Sequence, residues 1–368
     1  MRKGVDAAAV IVGAGPAGMA TAISACIRDP RSASQLMVLD RAEFPRHKPC
    51  GGGITRRGEV ALAELQLSPD LLSMPISTMR ITIGSRSHEF WRRRPFFRVY
   101  DRTAFDSWLV QQAKELGIVV LQGCRVVDIV RCDDKLELHT EKGVFRTPVV
   151  VGADGSASVV RRLTMPRSGR LCRLLEVFTE CQQGWDDNTA HFDFTPLLHG
   201  VQGYAWTFPT NRAGEKQLNQ GIFDSRVHSA RRSTSLITEL VRFLRQADES
   251  ESEVRQRIHL NSHPLTPWVA SAPVAAGGVM LVGDAMGADG LTGEGISVAL
   301  SHGVLAGRAL VESRMDPCRS VLTYERLIRT SPTTTSLRND RCLSLLMYGK
   351  AGATLIASGL TAAKWIRS

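Results

Sequence analysis

The chain has no C-x-x-C pair; its eight cysteines stand singly at positions 26, 50, 124, 132, 172, 181, 318 and 342. That spacing excludes the common zinc frameworks and a small disulfide scaffold, so no metal site is expected and a reducing compartment is. No signal peptide is legible, because the first apolar run already begins at Ala7, and a cytoplasmic protein is expected. Long unbroken apolar runs are also missing. The nearest, Leu343–Ile366, is interrupted by Lys350 and Lys364 and by Gly349, Gly352 and Gly359, which argues against a membrane-spanning helix. Packing against the body is the first expectation for it. The second is an amphipathic lid giving peripheral contact at the inner face of a membrane. There is no helix-turn-helix, finger or RNA-binding signature, and the basic residues are scattered apart from Arg92–Arg94, which reads as a solvated edge. The net charge of +10 therefore points to anionic small molecules or an acidic membrane surface, and nucleic acid is not an expected partner. Internal repeats and low-complexity tracts are lacking too; the oligomeric state is not readable.

What is present is concentrated between Ala7 and Arg41. A run of small and β-branched residues, Ala7 to Val12, predicts a buried parallel strand. It meets Gly13, Gly15 and Gly18 in G-x-G-x-x-G spacing, followed by a small-residue helix from Ala17 to Ile27. A second apolar run, Leu36 to Leu39, ends at Asp40. Gly13 permits the tight turn, Gly15 lets backbone approach a pyrophosphate, and Gly18 lets helix and strand pack closely. The helix N-terminus offers free N–H groups to the phosphates. Asp40 suits a ribose with free hydroxyls and argues against a 2′-phosphate at this place. Strand, glycines, helix, second strand and terminal acid together predict a site for an ADP-containing dinucleotide.

The loop after Arg41, EFPRHKPCGGGI, is held extended by Pro45 and Pro49 and laid bare at Gly51, Gly52 and Gly53. A helix is expected at about Arg56 to Leu65, then strands at Met79 to Ile83 and His88 to Trp91 joined by a turn at Gly84–Ser87. Another helix starts beside Asp101 or Thr103 and ends before Gly117. Strands follow at Val119–Leu121, Arg125–Val130, Lys135–His139 and Val144–Thr147. Two further apolar runs, Val149–Val151 before Gly152-Ala-Asp-Gly-Ser and Gly278–Val282 before Gly283-Asp, read as strands returning to the first sheet. The middle, Cys172 to Pro267, reads as a β-sheet with one charged helix, Ser233 to Leu244; a small-residue helix covers Gly295 to Glu312.

Four stretches in this order, GAGPAG with Asp40, RHKPCGGGI, GADGSASVVRR and LVGDAMGADGLTGEGI, make the chain resemble the FAD-dependent geranylgeranyl reductase family. DRTAFD, at Asp101 to Asp106, and GYAWTFP, at Gly203 to Pro209, add to the resemblance, which runs from residue 7 to about 312. That family lies within the para-hydroxybenzoate hydroxylase-like flavoproteins. The resemblance implies an α/β fold: a Rossmann-type FAD-binding domain with an inserted β-sheet substrate domain and a C-terminal helical region. The expected division gives residues 1–74, 101–171 and 272–312 to FAD, 75–100 and 172–271 to substrate, and 313–368 to the helices.

The resemblance also implies roles. FAD would be held by Gly13, Gly15, Pro16, Ala17, Gly18, Asp40 and Arg41, by Lys48, Cys50, Gly51 and Gly52, by Arg102 and Asp284, and by Gly293, Gly295 and Ile296. Cys50 would stand beside the flavin as the catalytic residue, positioning substrate or assisting proton delivery. Arg46 would meet phosphate, and His47 is a weak candidate acid. Asp154 would shape the cofactor approach or simply stabilise its loop. Tyr204, Trp206 and Phe208 would line the substrate pocket, with sheet core as their alternative. The implied reaction is reduction of carbon–carbon double bonds in an isoprenoid or other lipophilic substrate, with NADPH or NADH as electron donor.

Two departures from the family pattern stand out. Gly287–Leu291 is shorter than usual and lacks a proline in a loop expected to face the flavin ring, and Thr210 replaces a common lysine. These keep open a flavin-dependent monooxygenase (hydroxylase or epoxidase) acting on a hydrophobic or aromatic substrate. A flavin electron carrier without a small-molecule product is the other alternative. A halogenase is disfavoured, because GYAWTFP is not its Trp-x-Trp-x-Ile-Pro segment.

Overall fold

The computed structural model describes residues 5–166, 170–181, 184–228, 234–246 and 249–365. Its first sheet forms because three separated apolar runs pair side by side. Ala9–Val12 lies between Leu36–Leu39 and Val149–Gly152, all parallel, with Val279–Leu281 and Val119–Leu121 extending the sheet on either side. Every residue of Ala9–Val12 and Val149–Gly152 is buried, as a parallel sheet covered on both faces requires. The helices Pro16–Arg28 and Ile296–Glu312 cover it and pack closely on each other. A Cβ on Gly303 would lie 2.5 Å from the Ala17 carbonyl oxygen, and one on Gly307 would lie 2.4 Å from that of Thr21. The Ser24 hydroxyl closes the interface by donating to the Val304 carbonyl at 2.9 Å.

The second large sheet has seven strands in the order Asn261–Ser262, Arg173–Glu180, Glu215–Asp224, Gly203–Arg212, Thr189–Asp193, Thr78–Ile83, Arg86–Trp91. Its aromatic face carries Tyr204, Trp206, Phe208 and Phe223 into one core; the opposite face packs Leu236–Leu244. Between the two large sheets stands a three-stranded sheet in which Phe97–Tyr100 pairs with Gly53–Thr55 and Ser73–Ile76. A four-stranded sheet, Val126–Cys132, Lys135–Thr140, Gly143–Thr147 and Val5–Asp6, flanks the first.

Most expected elements are in place, including the helix Arg102–Glu115, whose N-cap is Asp101. Two differ. The helix expected over Ser233 to Leu244 is Leu236–Leu244, with Ser233 itself outside the described residues. A second helix, Glu251–Arg257, was not expected; its apolar anchor is a single residue, Val254, and its start is set by a capping box between Ser250 and Glu253. Arg92–Arg94 is an exposed edge, with the Arg92 guanidinium over the Phe96 ring at 3.9 Å.

The C-terminal helices Pro317–Thr330, Pro332–Met347 and Gly352–Trp365 pack on the body. Tyr324 donates to the Leu281 carbonyl at 2.7 Å, and Ala357 and Leu360 cluster with Ile83. Among the described residues no single helix is long and apolar enough to cross a membrane; the last two together would be, but they bend by 100°.

Overpacking a tight helix contact costs about 1–3 kcal/mol. Gly307→Leu is therefore expected to lower the melting temperature by several degrees, and an unchanged thermal melt would show that the two helices can separate freely.

Candidate FAD and substrate site

One cavity of about 990 Å3 runs from the glycine turn to the aromatic sheet. It reaches the top of the usual range for small-ligand sites, roughly 300–1,000 Å3. At one end the turn is built as its spacing requires. Gly13 adopts φ 109°, and a Cβ there would lie 2.3 Å from the Ala153 carbonyl oxygen. A Cβ on Gly18 would lie 1.8 Å from the Gly13 carbonyl oxygen. Gly15 is different: its Cβ would meet only the Arg46 Nη2, at 3.6 Å, so the space before the N-terminus of Pro16–Arg28 is open. Asp40 is buried at the end of its strand and orders both sides of the turn, accepting the Ala14 N–H at 2.6 Å and the Ala42 N–H at 2.7 Å.

The next group comes from the loop before Gly51 and the helix Arg102–Glu115. Asp106, fully out of solvent, accepts Arg102 Nε at 2.9 Å and Nη2 at 2.8 Å, and it also pairs with Arg46 Nη2 at 2.9 Å. Burial opposes the charge on Arg102, but Asp106 and the Cys50 side chain outweigh it and raise its pKa. Arg46 keeps one buried nitrogen, Nη1, without a protein partner among the described residues. An unpaired buried guanidinium N–H beside an open helix N-terminus has the chemistry of a phosphate contact.

A third cluster joins Lys48, His263 and Asp284. The Lys48 Nζ lies 2.8 Å from His263 Nε2, which is 4.0 Å from Asp284 Oδ2. Burial lowers Lys48 to about 8, with Asp284 opposing the shift. For Asp284, burial is outweighed by the neighbouring His263 and Lys48, so its carboxyl lies below the ordinary range. A Cβ on Gly295 would sit 3.3 Å from Asp284 Oδ1, which places the start of Ile296–Glu312 against this acid.

At the far end, the Cys50–Gly52 loop meets the aromatic sheet. A Cβ on Gly51 would lie 3.1 Å from the Phe208 ring and 3.7 Å from Trp206 Nε1. Tyr204 donates from its hydroxyl to the Thr292 carbonyl, tying the sheet to the segment before Gly293.

The cavity thus brings together Gly13, Gly15, Pro16, Ala17, Asp40, Arg41, Lys48, Cys50, Gly51, Gly52, Arg102, Asp284, Gly293, Gly295 and Ile296, with Tyr204, Trp206 and Phe208. Gly18 is the exception: it does not reach the cavity and acts at the helix–turn contact behind it. The Gly287–Leu291 loop does not line the cavity either. It is buried one layer back, where Ser225 Oγ donates to Gly290 O at 2.6 Å and the Tyr348 hydroxyl donates to Leu291 O. Cavity contact begins at Thr292, whose N–H and hydroxyl are both held by Asp289. Asp154 accepts Ser158 Oγ at 2.5 Å and the Val159 N–H at 2.6 Å, and so fixes its own loop. Arg46 was expected to meet phosphate, whereas Asp106 and His263 were not singled out as site residues. Only Asp106 had a usable signal, the i+4 spacing from Arg102 on an expected helix.

Residues 6–314 match the FAD binding domain family. The chain belongs to that family. Among its relatives, the menaquinone reductase of Mycobacterium tuberculosis is 29% identical over 329 residues, covering 83% of this chain and 76% of that protein. Digeranylgeranylglycerophospholipid reductase 1 of Methanopyrus kandleri is 29% identical over 325 residues, covering 83% and 80%. In fold, this FAD-binding chain is similar to a geranylgeranyl bacteriochlorophyll reductase-like protein from Thermoplasma acidophilum, with a TM-score of 0.79 at 20% identity over 97% of this chain and 91% of that one. It is also similar to PqsL of Pseudomonas aeruginosa, described as a probable FAD-dependent monooxygenase, with a TM-score of 0.71 at 16% identity over 97% and 100%.

The residues present fit FAD: open backbone at Gly15, an unpaired Arg46 nitrogen and a buried acid at the ribose position line one continuous space. Gly15→Val would fill that space, and the purified protein is expected to be colourless; full flavin content would contradict the assignment. Arg46→Ala removes a charge-assisted hydrogen bond worth about 1.5–3 kcal/mol. FAD affinity should therefore fall roughly 10- to 100-fold in a fluorescence titration.

Proposed function

We propose that this FAD-binding protein reduces carbon–carbon double bonds of an isoprenoid or other lipophilic substrate, with NADPH or NADH as electron donor. The observation that carries the reading is the continuity of the FAD cleft with an apolar wall. Phe97, Phe192, Tyr204, Trp206 and Phe208 line the same cavity as the glycine turn, and Cys50 stands where the two halves meet. The reductase names of the two relatives supply the reaction type.

FAD supplies the hydride when bound and reduced. The chain's part is to bind, to orient and to provide the second hydrogen as a proton. The aromatic wall takes the apolar substrate out of water. Burial of one large apolar side-chain equivalent is worth about 1.5–3 kcal/mol, so a prenyl chain can be held without charged contacts. Cys50 stands beside two cavity-lining cations, Lys48 and Arg102. Its thiol orients the substrate or gives a proton to the alkene carbon that does not receive hydride. Lys48, His263 and Asp284 form the polar side of the cavity and belong to the cofactor's half. The same geometry leaves room for substrate delivered from a membrane surface by peripheral contact, for which exposed Leu343, Leu345, Leu346 and Leu355 provide apolar area.

Two measurements test the reading. Cys50→Ala is expected to keep FAD and to lose turnover by about 100-fold or more, the scale of one proton-transfer group; unchanged turnover would leave Cys50 as packing only. The second is product mass under labelled O2 with a panel of polyprenyl lipids and hydrophobic aromatics. A gain of two hydrogens, insensitive to oxygen, is expected. Label in the product would replace the reductase by the monooxygenase, and flavin reoxidation with neither product would favour the electron carrier.

A further inference from the structure

A buried acid on the seven-stranded sheet, Glu176, grips the backbone of Cys50. Glu176 lies on the strand Arg173–Glu180 and is fully out of solvent. Its Oε1 accepts the Cys50 N–H at 3.0 Å and Asn219 Nδ2 at 2.5 Å. The same Asn219 Nδ2 also lies 3.2 Å from the Cys50 carbonyl oxygen, and Asn219 Oδ1 accepts Trp206 Nε1 at 2.8 Å. Both backbone polar groups of Cys50 are thus gripped from below by one acid and one amide. The indole at the end of the chain faces the cavity. Glu176 Oε2, by contrast, has no partner among the described residues.

We propose that Glu176 is the positioning residue of Cys50, fastening the loop at residue 50 to the substrate wall through Asn219 and Trp206. The proposal rests on the reading that Cys50 acts in the reductase site. The loop needs such an anchor because three glycines follow Cys50 and have little conformational preference of their own. Gly52 and Gly53 are held by Phe97–Tyr100, with the Tyr100 N–H donating to the Gly52 carbonyl at 3.0 Å, so the freedom left to the loop lies at Gly51, next to Cys50. Trp206 gives the anchor a reporter on the substrate side, so occupancy of the apolar wall and placement of the thiol are joined by hydrogen bonds.

The grip changes with protonation. Burial raises the Glu176 carboxyl to about 7, against the Asn219 and Cys50 hydrogen bonds and the charges of Arg102 and Arg212. Arg102 faces it from the helix and Arg212 from the end of the strand Gly203–Arg212, while the loop carries Cys50 with Arg46, His47 and Lys48 just before it. The residues paired with it in the sheet, Gly221 and Asn261, bring no charge. Ionised, Oε1 makes stronger bonds to the Cys50 N–H and to Asn219, while Oε2 carries an unpaired buried charge.

The test is peptide-resolved iodoacetamide labelling of Cys50 in the full-length, FAD-loaded protein, from roughly pH 5.5 to 9, across the ordinary range of a shifted acid and a thiol. Glu176→Gln keeps the shape and an acceptor oxygen but cannot ionise. Wild-type protein is expected to show a step in labelling rate centred near pH 7, besides the rise from the thiol itself, and Glu176→Gln to lack it. Asn219→Ala should raise Cys50 labelling several-fold at neutral pH. Stability gives a second readout. An acid whose folded pKa is raised costs stability progressively as pH climbs from its unfolded value of 4.5 to about 7. The melting temperature of Glu176→Gln should therefore gain on wild type over that window and stay level above it. Superimposable labelling curves for wild type and Glu176→Gln, with both holding FAD, would overturn the proposal, as would unchanged labelling in Asn219→Ala. Labelling uses no alkene, so a pH step in a protein without reductase turnover would sink the proposed reaction and leave the anchor standing.

Discussion

Asp106 sits fully buried between two guanidinium groups, and the arrangement of the site follows from the balance among these three charges. Removing one member of a buried charged cluster typically costs about 3–5 kcal/mol, because it leaves the others uncompensated. Here the cost would fall on both halves of the cavity. Through Arg46, Asp106 holds a guanidinium beside the open face of Gly15; through Arg102, it holds another against the Cys50 side chain. The helix that carries Asp106 and Arg102 is therefore a bridge between the phosphate end of the FAD cleft and the loop where chemistry is proposed.

The second constraint is steric. The first sheet can present its glycine turn only because Gly18, Gly303 and Gly307 let two helices and a turn come closer than any side chain allows. The seven-stranded sheet then supplies what the first cannot, an aromatic face, and the three-stranded sheet between them holds the CGGG loop against it. Polar and apolar halves share one space.

The legible parts of this chain were those where local pattern and global role coincide. The parallel strands read directly as buried β-branched runs, and the glycine turn and Asp40 read as a unit because each position has its own steric or hydrogen-bonding job. Cys50 and the aromatic trio were reached through the family resemblance, and the fold brings both to the same cavity. The site's electrostatics were far less legible. Asp106 is close to Arg102 in sequence, but its second partner, Arg46, is fixed only by the fold. Lys48 and His263, and likewise Glu176 and Cys50, are brought together by sheet register across long sequence separations. The Gly287–Leu291 loop was placed one layer too far forward, because nothing local in a run of small residues shows that Ser225 and Tyr348 hold it from behind.

The glycine turn, Arg46 and the Cys50 loop are proposed to serve one FAD molecule whose reactive end meets the aromatic wall. A crystal structure of the FAD-loaded protein tests it most directly. Pyrophosphate density is expected against the helix N-terminus at Gly15 and the unpaired Arg46 Nη1, with the ring system between Gly295 and the Cys50–Gly52 loop. Pyrophosphate bound away from Arg46, or a ring system excluded from the space beside Cys50, would contradict it.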